Sequence, residues 1–181
     1  AMGSINQYKT PYKKYHSDNV ANLSFEIGKK LSLPHQKLRS LKIASLLHDI
    51  GEVKLPDGIL NKPDSLTENE YNLIKEHPKH SYNIINDISF EESIEDIALQ
   101  HHERLDGSGY PNGLTKNNIF IEAKIIAVAD VVEAMTSKRP YRNSFGLDNA
   151  LDEIKKYSNE KYDKEVVKTC INLFKNNSFS F

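Results

Sequence analysis

The chain has 181 residues, of which 38% are hydrophobic and 27% charged, with a formal net charge of −1. That length suits one domain with one core, the composition excludes a disordered polar chain, and the balanced charge gives no footprint for a nucleic-acid polymer. No apolar run approaches the roughly 20 residues needed to cross a bilayer, no secretory signal is read in it, and the single cysteine, Cys170, excludes an internal disulfide. A reducing, cytoplasmic setting with no membrane contact in this domain is therefore expected. Within "VVKTCINLF", Cys170 fits the apolar pattern of a core residue. Residues 1–4, "AMGS", read as an expression-tag remnant, which leaves 5–181 as the domain and implies a longer natural protein.

Helical signals follow one another along the chain. "HSDNVANLSFEIGKKL" places Val20, Leu23, Ile27 and Leu31 three and four residues apart, the spacing of one helix face. After Pro34, "HQKLRSLKIASLLHDIG" predicts a helix burying Leu38, Leu41, Ile43, Ala44, Leu46 and Leu47, stopped by Gly51. "KLPDGILNKPDSL" reads as a loop with a short turn. Thr67 and Glu70 have capping-box spacing and open a helix toward His77, and Pro78 either kinks that helix or starts the next. "EESIEDIALQHHE" is helical, and "IFIEAKIIAVADVVEAMTS" is apolar enough to be a central helix. "LDNALDEIKKY" and "DKEVVKTCINLF" supply two more, with Asp163 as an N-cap. No segment alternates long enough for a sheet, and neither repeat nor linker is present. The fold class expected is all-α, a single compact domain of about seven helices.

Five of the seven histidines lie near other ligand-type residues. His16 begins the first helix, the adjacent His48 and Asp49 end a buried one, His77 ends the capped helix, and His101 and His102 end another. Asp130 lies inside "IIAVADVVEAM", where an unpaired buried charge would cost on the order of several kcal/mol. A cation answers that cost, and imidazole with carboxylate suits divalent transition ions. A single histidine at a helix end is ordinarily a cap or surface group, which is the role expected of His35 and His80. The pattern gains meaning only jointly.

The order His16, "HDIG" (48–51), "HP" (77–78), "HHERLDGSGYPNGL" (101–114) and "VADVVEAMTSKRPYR" (128–142) resembles the HD-GYP family, a branch of the HD superfamily of helical metal-dependent phosphohydrolases. "LPDGILNKPDSLTENEY" is similar to the family's stretch between motifs, so the resemblance covers roughly residues 10 to 175. It implies hydrolysis of cyclic di-GMP to pGpG and often onward to GMP, with two or three divalent ions, usually iron or manganese, as cofactors. Carried over by position, it assigns one ion to His16, His48 and Asp130. The other goes to His77, His101 and His102, with Asp49 bridging. Which adjacent histidine serves which ion stays open, since helix neighbours point about 100° apart. A hydroxide held between two such ions is the implied nucleophile. Arg139 and Arg142 of "SKRPYR" match the family's phosphate contacts, for which a planar guanidinium is well shaped. Asp106 and its glycines set a sharp turn, and Gly109, Tyr110 and Pro111 form the lip of the pocket. In the family that lip is associated with substrate and with docking of a diguanylate cyclase domain. Tyr110 stacks on guanine or packs the loop; both readings stand at this point.

Two positions depart from the family pattern. Where it has lysine after "HDIG", this chain has Glu52, which implies weakened catalysis, or a carboxylate that orients a metal or its water, or a surface group without a role. Members with three ions carry a glutamate one helical turn before the first histidine; here that place is Tyr12, so two ions are expected. Two other functions stay open: a phosphohydrolase for a different nucleotide, such as cyclic GMP-AMP, or a catalytically weak module that binds the messenger or docks a partner.

Overall fold

A computed structural model describes residues 15–88, 90, 92–138 and 144–181. Among these residues the chain is helical, with two isolated β-bridges and no strand, as the periodicity predicts. The α-helices run α1 (His16–Lys30), α2 (His35–Leu47), α3 (Asp57–Leu60), α4 (Glu68–Ile74), α5 (His77–Asn86), α6 (Ile94–Leu99), α7 (Ile121–Thr136), α8 (Leu147–Lys156) and α9 (Lys164–Lys175). Short 3-10 turns cover Ile50–Lys54 and Lys116–Asn118. The count exceeds seven because α3 is a single turn and because Pro78 sits in the first turn of a new helix. Proline is at home there, where its missing N–H would have had no helical partner.

The core gathers around α7, which packs against α1, α2, α8 and α9. Ile125, Ile126, Val128 and Val132 of α7 are fully enclosed, and so are Val20, Leu23 and Ile27 of α1. On α2 the buried stripe is narrower than its apolar residues suggest. Leu41, Ala44 and Leu47 are buried, whereas Leu38, Ile43 and Leu46 are half-buried. Ser40 and Ser45 take part in the stripe instead. Each hydroxyl donates to the carbonyl four residues back, Gln36 at 3.0 Å and Leu41 at 2.7 Å, so burial leaves neither unpaired. Leu31 is likewise only half-buried.

Both predicted caps form. Thr67 and Glu70 make a reciprocal capping box at α4, and Asp163 accepts from the amides of Glu165 and Val166 at α9. Cys170 is buried in the core, where burial pushes its thiol up to about 12. No helix among the described residues is long and apolar enough to cross a membrane.

Candidate metal centre

Helix ends bring the ligand-type residues together. His16 opens α1, His48 and Asp49 follow α2, His77 opens α5, His101 and His102 follow α6, and Asp130 lies midway along α7. They form two groups, Asp49 with His77, His101 and His102, and His16 with His48 and Asp130; within each group one donor atom per residue lies within 4.8 Å of the others. Asp49 stands between the groups. Its Oδ1 is 3.5 Å from His48 Nε2, 3.3 Å from His77 Nε2 and 3.6 Å from His101 Nε2, and its Oδ2 is 3.6 Å from His16 Nε2. His16 Nε2 is also 3.3 Å from Asp130 Oδ1.

A recurring local device aims three of the rings. The last carbonyls of an α-helix have no helical partner. Here His48 Nδ1 donates to the Ser45 carbonyl at 2.7 Å, His77 Nδ1 to Ile74 at 2.8 Å and His101 Nδ1 to Ala98 at 2.5 Å. Because a carbonyl can only accept, each Nδ1 carries a proton, and in the neutral ring the Nε2 lone pair is directed inward. His16 is served differently: its Nδ1 pairs with the Glu133 carboxylate, whose Oε1 accepts from Ser137 Oγ at 2.7 Å and Asn19 Nδ2 at 3.4 Å.

The arrangement fits a cation. His77 Nε2 and His101 Nε2 are 3.2 Å apart, and with both Nδ1 protons committed to carbonyls the two lone pairs repel unless a proton or an ion lies between them. Two nitrogens bound side by side at about 2.0–2.1 Å from one ion would be about 3 Å apart. His48 Nε2 is buried without a hydrogen-bond partner among the described residues. Burial drives the His48 imidazole down to about 4. Burial, with the neighbouring His101 and His77, holds His102 well below the usual range. For Asp130 burial works upward, but the hydrogen bond and charge of His16 hold the carboxyl well below its usual range. His77 is lowered by burial yet raised overall by the hydrogen bond and charge of Asp49, with Glu52 adding to it. The unprotonated rings of His48 and His102 and the ionised Asp130 are ready ligands, so this buried cluster could hold metal.

The turn after Asp49 is built for close approach. A Cβ on Gly51 would lie 2.2 Å from the His77 carbonyl and 2.4 Å from the Ser81 amide, so only glycine lets the turn seat against α5. Ser81 Oγ accepts from Gly51 N at 2.9 Å and donates to the His48 carbonyl at 2.6 Å. Glu52 is 6% exposed, which overturns the surface reading: the 3-10 turn folds it inward, near enough for its charge to act on His77.

The 101–114 loop is held by a residue that the motif reading passed over. Glu103, buried, accepts from Asn112 N at 2.7 Å and Leu114 N at 2.9 Å, pinning the far side of the loop to its start. Gly109 packs so tightly that a Cβ would fall 2.4 Å from Arg104 N and 2.5 Å from the His102 carbonyl. Asp106 accepts from Ser108 N at 3.0 Å and Ser108 Oγ at 2.7 Å, the turn expected of it. The half-buried Tyr110 precedes Pro111 through a cis peptide, and its ring lies 4.7 Å from that of His102 at 33°. Tyr110 thus packs on one of the clustered imidazoles. Arg139, Arg142 and Tyr12 lie outside the described residues. His35 is exposed and His80 half-buried, and neither belongs to the two groups.

Comparison with known proteins agrees with this architecture. A family model described as "HD domain" matches residues 4–166. The chain is similar to a cyclic di-GMP phosphodiesterase of Thermotoga maritima, 36% identical over 176 residues, covering 96% of this chain and 48% of that protein. A 3'3'-cGAMP-specific phosphodiesterase 1 of Vibrio cholerae is 38% identical over 151 residues, covering 83% and 35% respectively. The chain thus spans about half the length, or less, of these relatives. Among solved structures, Bd1817, an HDG"Y"P protein of Bdellovibrio bacteriovorus, superposes with a TM-score of 0.73 at 22% identity, over 89% of this chain and 52% of that one, which speaks to the fold. With the matched family model, the identity to these relatives and the "HDIG" and "GYP" segments in their places, the chain belongs to the HD domain family, in its HD-GYP branch.

Proposed function

We propose that this domain is a metal-dependent phosphodiesterase that opens cyclic di-GMP to pGpG, with cleavage to GMP as the continuation. The observation that carries the reading is Asp49, a buried carboxylate that faces imidazoles of both groups, with four Nε2 atoms lying 3.3 to 3.6 Å from its oxygens. His16, His48 and Asp130 would hold one ion, and His77, His101 and His102 the other, with Asp49 between them. Two divalent ions, iron or manganese, supply Lewis-acid neutralisation of a phosphodiester and an acidified water at neutral pH when bound. The chain's own part is to fix the ring tautomers, keep the His48 and His102 imidazoles unprotonated and exclude bulk water from all but the Asp130 and His102 side. Arg139 and Arg142, just beyond α7, are proposed to grip the phosphate oxygens. Gly109, Tyr110 and Pro111 form the lip facing the substrate, and the same loop is the proposed contact for a diguanylate cyclase domain.

The relative named for 3'3'-cGAMP supports a second reading, in which the substrate is a mixed cyclic dinucleotide. A third, a binding module that cuts slowly, draws on the buried Glu52 carboxylate, whose charge opposes an anionic substrate. One experiment separates them. Protein loaded with Fe(II) or Mn(II) under reducing conditions is incubated with cyclic di-GMP or cyclic GMP-AMP, and the products are resolved by chromatography. Release of pGpG supports the first reading and turnover of cyclic GMP-AMP alone the second. Retention of either nucleotide without product supports the module.

A further inference from the structure

Of the five clustered rings, four are held through Nδ1 in two different ways. His48, His77 and His101 each rest their Nδ1 on a neutral backbone carbonyl, whereas His16 rests on a carboxylate. We infer that Glu133 is a positioning residue that makes the cation position of His16, His48 and Asp130 the tighter of the two. The inference rests on the two-cation reading proposed above and deepens it.

Three observations carry it. Glu133 is 2% exposed and stands on α7 three residues beyond Asp130, so a ligand and the group supporting another ligand share one face of a rigid helix. Its orientation is fixed independently of His16: Ser137 and Asn19 both donate to Oε1, which turns Oε2 toward the imidazole. An anionic partner on Nδ1 makes the opposite nitrogen a more basic ligand, and losing such a partner typically costs about 10–100-fold in metal affinity. The anions around the two positions also differ. The His16 position has Asp130, the Oδ2 of Asp49 and, behind the ring, Glu133. The other has three imidazoles and the Oδ1 of Asp49. Glu52 acts on His77 by charge, but the Nδ1 of that ring belongs to the Ile74 carbonyl.

The test is a titration of the metal-stripped full chain with Mn(II) without oxygen, followed by calorimetry and by electron paramagnetic resonance of the free ion. Wild type should take up two equivalents with distinct affinities. Glu133→Gln should weaken the tighter equivalent about 10–100-fold and leave the other within threefold. His16→Ala should erase that same equivalent, and adding Glu133→Gln to it should change nothing further, a coupling that a merely structural glutamate would not produce. Should Glu133→Gln fail to fold, Ser137→Ala removes one hydrogen bond to the carboxylate and should weaken the same equivalent about two- to fivefold. Equal weakening of both equivalents, or none, overturns the inference and leaves the two-cation reading standing. If wild type takes up no Mn(II), both fall together.

Discussion

His77 Nε2 and His101 Nε2 face each other across 3.2 Å, from the start of α5 and the turn after α6. Two lone pairs at that distance call for a proton or a cation between them, and a bound metal ion would fill that place. Binding should therefore raise stability well beyond a surface effect. At free Mn(II) 100 times the dissociation constant the gain is about 2.7 kcal/mol, which for a chain of this size raises the unfolding midpoint by roughly 5–10 °C. Differential scanning calorimetry with and without chelator measures it; coincident midpoints would contradict a built cation site.

Gly51 and Gly109 should be irreplaceable for a reason unrelated to chemistry at the metal. An added methyl at either meets backbone atoms at 2.2 to 2.5 Å, and backbone cannot step aside as a side-chain end can. Gly51→Ala and Gly109→Ala are each expected to cost about 1–3 kcal/mol, read from urea unfolding. Gly58→Ala is the control, since a Cβ there meets nothing within 4 Å and the residue lies in α3. It should be neutral or stabilising, by about 0.5–1 kcal/mol.

Charge reversal at Glu52 should speed hydrolysis. Its carboxylate is buried beside His77, and a cation in its place would attract a phosphate that the glutamate repels. We expect Glu52→Lys to raise kcat/KM for cyclic di-GMP tenfold or more at saturating Mn(II). An altered metal content at unchanged rate would instead make Glu52 a metal-orienting group, and no change in either would leave it without a role in the reaction.

The acid limb of stability should run through the α4 cap. The hydrogen bond from Lys62, then that from the Thr67 amide, lowers the Glu70 carboxyl from 4.5 to about 2. A carboxyl depressed in the folded state stabilises it fully above 4.5 and loses that contribution as pH falls toward 2. The midpoint difference between wild type and Glu70→Gln should therefore shrink between those two pH values and stay flat above them. A gap independent of pH would show that the cap works without its charge.

Much of this was readable before any coordinates. Caps at Thr67 and Asp163, a break at Pro78 (kink or new start) and the placement of every ligand-type histidine at a helix end all follow from local rules about orphan amides and carbonyls. What local rules could not supply is partnership across the fold. Glu133 meets His16 from a position 117 residues away, and Glu103 reaches over the loop to Asn112 and Leu114. A hint was present, since a second acid three residues after Asp130 in an apolar helix falls on the same face and needs an explanation of its own. The burial of Ser40 and Ser45 escaped for a related reason: a hydroxyl that donates to its own helix behaves as a small apolar group, which no hydropathy pattern records.

The scatter of the ligands along the chain has a kinetic consequence. Only His48 with Asp49, and His101 with His102, are neighbours in sequence; every other pairing in the cluster exists only once helices among α1, α2, α5, α6 and α7 have docked. An unfolded chain thus offers an ion no more than a pair of weak donors, and capture must come after the helices assemble. Bound metal should act as a brake on opening, leaving the refolding rate of the stripped chain nearly untouched while slowing its unfolding in proportion to the affinity gained.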